Sequence, residues 1–141
     1  MENLLDRSKL LAKETLEIEK VELGEGDIVY VRQMTGRERD QFEASLLKKK
    51  TNAKGESTYE QNTEDFRAKL AVLTLCDEKG NSLLQPGDYS VLSQNMSAKR
   101  LEKIIIAAQK LNAITEVDKE NLTKNSEADQ DDNSSSGSAK N

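Results

Sequence analysis

Between Ser97 and Asn112, the residues Leu101, Ile104, Ile105, Ala108 and Leu111 follow the i, i+3, i+4, i+7 spacing of an amphipathic helix. Ser97 is placed to cap its start and Asn112 to end it. So continuous an apolar stripe has to be covered, which commits the chain to building a core around it. A second core helix is predicted to start at Thr63, followed by Glu64 and Asp65. Phe66, Leu70 and Leu73 recur on it at helical spacing, and Val72 and Leu75 widen the buried face. A third should follow the capping box Thr35-Gly36-Arg37-Glu38 and run through Lys49, with Phe42 and Leu46 four residues apart. Lys48, Lys49 and Lys50 would then lie in its last turn, where positive charge complements the helix dipole. Shorter helices are expected within Glu2 to Glu14, from Pro86-Gly87-Asp88 through Gln94, and from Thr115 to Thr123 or Lys124.

Period-two patterning is confined to the first third. Thr15 to Leu23 alternates apolar and polar residues with a phase slip at Glu19-Lys20, which reads as a bulged strand. Gly24 to Asp27 supplies a four-residue connection to Ile28-Val29-Tyr30-Val31-Arg32-Gln33-Met34, completing a β-hairpin. Thr51 to Gln61 reads as a polar, mobile connection containing Gly55. Asp77 to Asn81 reads as a turn and Ser82 to Leu84 as a short extended piece. The fold class is α+β: a mainly helical small domain with an N-terminal β-hairpin and a disordered, acidic, Ser-rich C-terminal tail. Residues 1–124 form one domain, divided into a separate helix within 1–14, a hairpin over 15–34 and a helical part over 35–124. Residues 125–141 form the flexible tail.

Composition bears on this division. Leu, Ile, Val and Phe number 31 of the 141 residues, about 22%, just above the ~20% at which disorder becomes the default. None of them falls in Asn125 to Asn141, which carries Lys140 against Glu127, Asp129, Asp131 and Asp132. Removing that segment from a chain of net charge −5 leaves 20 basic and 22 acidic residues, so the acidity belongs largely to the tail.

The same counts narrow the function classes. With no histidine, the commonest general base near neutral pH and the commonest zinc ligand is missing. Cys76 is the sole cysteine, which rules out an internal disulfide or a Cys-x-x-Cys metal knuckle and fits a reducing compartment. It is expected to be a small buried residue on a helix ending near there. The longest apolar run, Ile104 to Ala108, is far too short to span a membrane. Met1-Glu2-Asn3-Leu4-Leu5-Asp6 lacks the basic, then apolar, character of a secretion signal. Net acidity opposes nonspecific nucleic-acid binding, and Lys48 to Lys50 have no aromatic or Arg neighbours interleaved.

No constellation points to a reaction. Glu17 and Glu19 should face outward together on an alternating strand, with Glu22 near them, as on a solvated sheet face. Asp129, Asp131 and Asp132 lack the Gly and terminal Glu of a calcium-binding loop. Gly24-x-Gly26 sits between two strands rather than between a strand and a helix, so it is not a phosphate loop. The expectation is a protein that is not an enzyme, with no catalytic residue, no metal and no cofactor. An enzyme relying on converging carboxylates alone is the minority alternative.

Several stretches, taken in order, resemble the small tail assembly chaperones of long-tailed, siphovirus-type bacteriophages. They are Val29-Tyr30-Val31-Arg32-Gln33-Met34-Thr35-Gly36-Arg37-Glu38-Arg39-Asp40-Gln41-Phe42-Glu43, then Leu73 to Asn81, then Leu111-Asn112, and Lys124-Asn125-Ser126 ahead of a Ser-rich end. The resemblance runs from about Leu16 onward. It implies a non-virion protein of the bacterial host cytoplasm that keeps the tail tube protein and the tape measure protein assembly-competent, without nucleic-acid or membrane partners and with self-association left open. Such families often use a ribosomal frameshift to make a longer product. Thr123-Lys124-Asn125 can be encoded ACA AAA AAC, a slippery heptamer, and Ala139-Lys140-Asn141 admits an analogous spelling. Thr123 to Asn125 is the preferred slip site. The candidate partner surface is Leu4, Leu5 and Leu11, because a short terminal helix buries little alone. The alternative is a tail-completion or head-tail connector component retained in the virion.

Overall fold

A computed structural model describes residues 2–114. The helix expected from Thr115, the 125–141 tail and the codon site Thr123 to Asn125 lie outside the described residues. The elements run α1 (Arg7–Leu11), β1 (Ile18–Gly24), β2 (Asp27–Arg32), α2 (Gly36–Ser45), β3 (Leu47–Thr51), β4 (Ser57–Gln61), α3 (Phe66–Thr74), β5 (Leu75–Cys76), a 3-10 turn (Pro86–Asp88), α4 (Tyr89–Asn95) and α5 (Ala98–Leu111). The domain is α+β and begins its sheet with the expected hairpin.

The predicted amphipathic helix is α5. Its cap is in place, with Ser97 Oγ accepting from the Arg100 N–H at 3.2 Å. Leu101, Ile104, Ile105 and Ala108 are all buried. One side of α5 lies on an antiparallel sheet ordered β1-β2-β5, and another lies on α3. The shared core gathers Val21, Leu23 and Val31 from the sheet, Leu70 and Ala71 from α3, and Phe42 and Leu46 from and just after α2. Phe42 meets Phe66 edge to face, with ring centroids 5.4 Å apart. That geometry suits the quadrupoles of two aromatic rings.

The hairpin differs in detail from its sequence reading. Pairing from Ile18↔Arg32 to Glu22↔Ile28 is continuous, so no bulge occurs at Glu19-Lys20; the irregularity lies between Glu22 and Gly24. Continuous alternation places Glu19 on the same side as Val21 and Leu23. There the Glu19 carboxylate lies 3.8 Å from Lys110 Nζ of α5. The phase slip seen in sequence is therefore a charged residue tolerated at the margin of the buried face, where a helix cation meets it. The connection is two residues rather than four, since Gly24 pairs with Asp27. Glu25 and Gly26 both have positive φ, as a tight turn matched to strand twist requires.

Three further expectations are corrected. α2 stops at Ser45 instead of Lys49, so Lys48 to Lys50 lie on β3 rather than in a last helical turn. Thr51 to Gln61 is not a polar connection: it turns and returns as β4, making a separate two-stranded sheet. Asn52 closes this turn, its Oδ1 accepting from the amides of Lys54 (2.9 Å) and Glu56 (3.0 Å). The α2 helix yields because 57–61, with Thr58 and Tyr59, offers Leu47 to Thr51 a full ladder of partners, and that pairing outweighs the good helical preference of Leu and Lys. Finally, Cys76 is buried as expected, but it sits on β5 and not on a helix.

The Asp77 to Asn81 turn is as predicted. Asp77 Oδ1 accepts from the amides of Lys79 (2.8 Å) and Asn81 (2.9 Å). These N–H groups, Asn81 foremost, hold the Asp77 carboxyl below the usual carboxylate range. Gly80 closes the turn at φ +92°, and a Cβ there would stand 3.1 Å from Ile18 Cδ1. Gly80→Ala should therefore lower stability by about 1–2 kcal/mol, from left-handed backbone strain plus crowding of Ile18. Urea unfolding checks this; an unchanged midpoint would mean the turn is not held in this form.

Candidate partner-binding surfaces

Two of the stretches singled out in the sequence, Val29 to Glu43 and Leu111-Asn112, meet at one polar joint. Arg32 ends β2 and is 6% exposed. Its guanidinium grips Glu38 with both arms, Nη1 to Oε1 at 3.0 Å and Nη2 to Oε2 at 2.8 Å. Glu38 also completes the capping box, accepting from the Thr35 N–H at 2.9 Å while its own N–H donates to Thr35 Oγ1 at 3.2 Å. Asn112, the residue ending α5, accepts the Met34 N–H at Oδ1 (2.6 Å) and the Arg39 Nη1–H at its carbonyl (3.2 Å). Its amide donates to the Ala108 carbonyl at 2.9 Å. Thus Arg32 to Arg39 and Leu111-Asn112, far apart in sequence, form a brace between the β2–α2 junction and the end of α5.

Charge follows from this geometry. Burial pushes the Glu38 carboxyl up, but the hydrogen bonds from Arg32 and from the Thr35 amide outweigh it and leave the group below its ordinary range. The hydrogen bond to Glu38 raises Arg32, against the opposing effect of burial. Burial raises the Cys76 thiol, although nearby Arg32 pulls the other way. Both ionised partners of the joint are consumed by each other, so it offers neither a proton to move nor a free carboxylate. It is a structural brace.

The acidic candidates are not brought together. Glu17 precedes β1, where its N–H donates to Gln33 Oε1 at 2.9 Å. Glu22 lies on the face opposite Glu19, and Asp129, Asp131 and Asp132 lie outside the described residues. Among the described residues no group of three potential metal ligands exists. No helix among them is long and apolar enough to cross a membrane.

What the surface does offer is apolar. Leu4 is 97% exposed and Leu11 69%, with Leu5 about half exposed. They flank or lie on α1, which has five residues and buries none of them. The helix is held locally, by Asp6 Oδ1 accepting from the Lys9 N–H at 3.0 Å. Leu10 is also largely exposed; sequence reasoning passed over it because the stripe through Leu4, Leu5 and Leu11 did not require it. Grooves among the described residues lie elsewhere. One of about 450 Å³ is lined by Val72, Leu73, Pro86 and Tyr89, with Lys69 Nζ 5.3 Å from the Tyr89 ring centre. Another of about 570 Å³ is lined by Leu84, Val91, Leu92 and Met96, bordered by Arg100 and Asp88. Neither is legible in the sequence, because each is assembled from side chains of several short elements. Set against known proteins, the chain matches no family model, and no curated protein or solved structure is significantly similar to it.

Proposed function

We propose that this protein is a tail assembly chaperone of a long-tailed bacteriophage, a non-enzymatic binder acting in the bacterial host cytoplasm on the tail tube protein, the tape measure protein or both. The observation that carries the reading is the leucine-bearing segment around α1. Leu4 and Leu5 face solvent just before, and Leu11 at the end of, a helix too short to be stable by propensity. An apolar helical segment presented in this way suits docking into a groove on another protein. The ordered resemblance supplies the partner class.

Deleting Glu2 to Glu14 is the test. Unfolding stability should stay within about 0.5 kcal/mol, since nothing in α1 is buried. The yield of soluble tube protein on co-expression should fall to that seen without the chaperone. A deletion that unfolds the domain, or leaves solubilisation intact, rejects Leu4, Leu5 and Leu11 as the docking surface. The longer product rests on the codons of Thr123, Lys124 and Asn125; an AAG or AAT codon there and at Lys140-Asn141 removes it.

A further inference from the structure

The β3–β4 hairpin carries a charge excess that the body does not neutralise. Lys48, Lys49, Lys50 and Lys54 stand against Glu56 and Glu60. Every residue of β3 is exposed. Glu60 is taken by Lys50, Nζ to Oε2 at 3.0 Å. Among the described residues this leaves Lys48, Lys49 and Lys54 without an acidic partner within 4.0 Å. A two-stranded sheet with an exposed basic strand is marginal by itself, because little burial and a single cross-strand ion pair support it.

The complementary charge is in the same chain. Residues 125–141 carry Glu127, Asp129, Asp131 and Asp132 against Lys140. Their point of departure is fixed by the joint: the Asn112 carbonyl accepts from Arg39, in the first turns of α2, and β3 begins just beyond the other end of that helix. Ten residues of α2 cover about 15 Å, and five of β3 about 17 Å more. As the expected helix, the ten residues from Thr115 to Lys124 cover about 15 Å, and the eight from Asn125 to Asp132 reach up to ~27 Å more when extended. The acidic segment is therefore long enough to lie along the lysines of its own hairpin. We propose that it does so, and that the acidic C-terminal segment of this chain is the occupant of the exposed basic strand β3 and its turn, where Lys48 and Lys49 project from opposite sides of the strand and Lys54 from the turn. An acidic partner of this hairpin must then displace the segment first.

A nitroxide attached to Ser136→Cys in the full chain tests this. Cys76 is 1% exposed, so the label is selective. At ~0.01 M salt, where charges interact over roughly 30 Å, the amide signals of residues 48–54 should lose about half their intensity or more. They should recover at ~1 M salt, where that range is about 3 Å. The loss should also vanish in the variant Glu127→Gln, Asp129→Asn, Asp131→Asn, Asp132→Asn, whose body sequence is unchanged, and with Lys48→Glu, Lys49→Glu, Lys54→Glu. Loss that ignores salt, survives neutralisation of the segment or spreads evenly over the body overturns the proposal. So does loss transferred to an unlabelled, ¹⁵N-enriched copy mixed with the nitroxide-bearing chain, because the contact would then run between molecules.

Discussion

Replacing Phe42 by alanine is expected to cost about 3–5 kcal/mol of folding stability, the largest effect of any single truncation considered for this protein. Phe42 is wholly buried. It carries the contact of α2 with the rest of the core and stacks edge to face on Phe66. Its neighbours, Phe66 among them, are held in place by the rest of the core, so truncation leaves a cavity. For a domain whose total stability is on the order of 5–15 kcal/mol, such a loss leaves a substantial unfolded fraction. Urea titration followed by circular dichroism measures it. Phe42→Leu, which keeps much of the volume, should lose clearly less. Equal losses for the two variants would show that the site is not the tightly filled one described.

The second large effect is expected at Glu38. Glu38→Ala removes both hydrogen bonds to Arg32 and dissolves the capping box, leaving a largely buried guanidinium without its counter-charge. A loss of about 2–4 kcal/mol is expected, below the range for a fully buried pair because Glu38 is partly exposed. The double variant Arg32→Met, Glu38→Ala should be more stable than Glu38→Ala alone, since it removes the stranded charge. If the double variant is instead the less stable, burial of the unpaired Arg32 is not what makes the single one costly.

The pair also sets a pH dependence. The folded-state pKa of Glu38 lies below its unfolded value of about 4.3. Its stabilising contribution is therefore complete above that pH and is lost as pH falls through the folded-state value. The stability gap between the wild-type protein and Glu38→Ala should be flat from neutrality down to about pH 5 and shrink below about pH 4. A gap that widens in acid would contradict the assigned direction.

What could be read without coordinates was whatever is local. The α5 helix follows from five apolar residues in register with a Ser cap, and the α2 start follows from Thr35 and Glu38 three residues apart. The Asp77 turn needs only its own side chain and the amides that follow. The second hairpin was missed because nothing within Lys48-Lys49-Lys50 announces a strand; its reason is Ser57 to Gln61, placed opposite by a turn at Asn52. The bulge was misplaced because Glu19 looks like a break in alternation, whereas its place at the margin of the buried face leaves the carboxylate partly exposed, with Lys110 3.8 Å away.

The same division holds for the candidate surfaces. Leu4, Leu5 and Leu11 were identifiable as a short apolar segment, but their exposure was not, since the same residues serve equally well for packing onto the chain's own core. The Arg32, Glu38, Arg39 and Asn112 brace was invisible because its members belong to the ends of β2, α2 and α5. The sequence by itself determined the amphipathic faces, the caps, the tight turns and the separation of a near-neutral body from an acidic C-terminal segment, all properties of neighbouring residues. Only the tertiary structure decided which strands pair, where α2 gives way to β3, and which leucines stay uncovered, because those outcomes depend on partners supplied from distant parts of the chain.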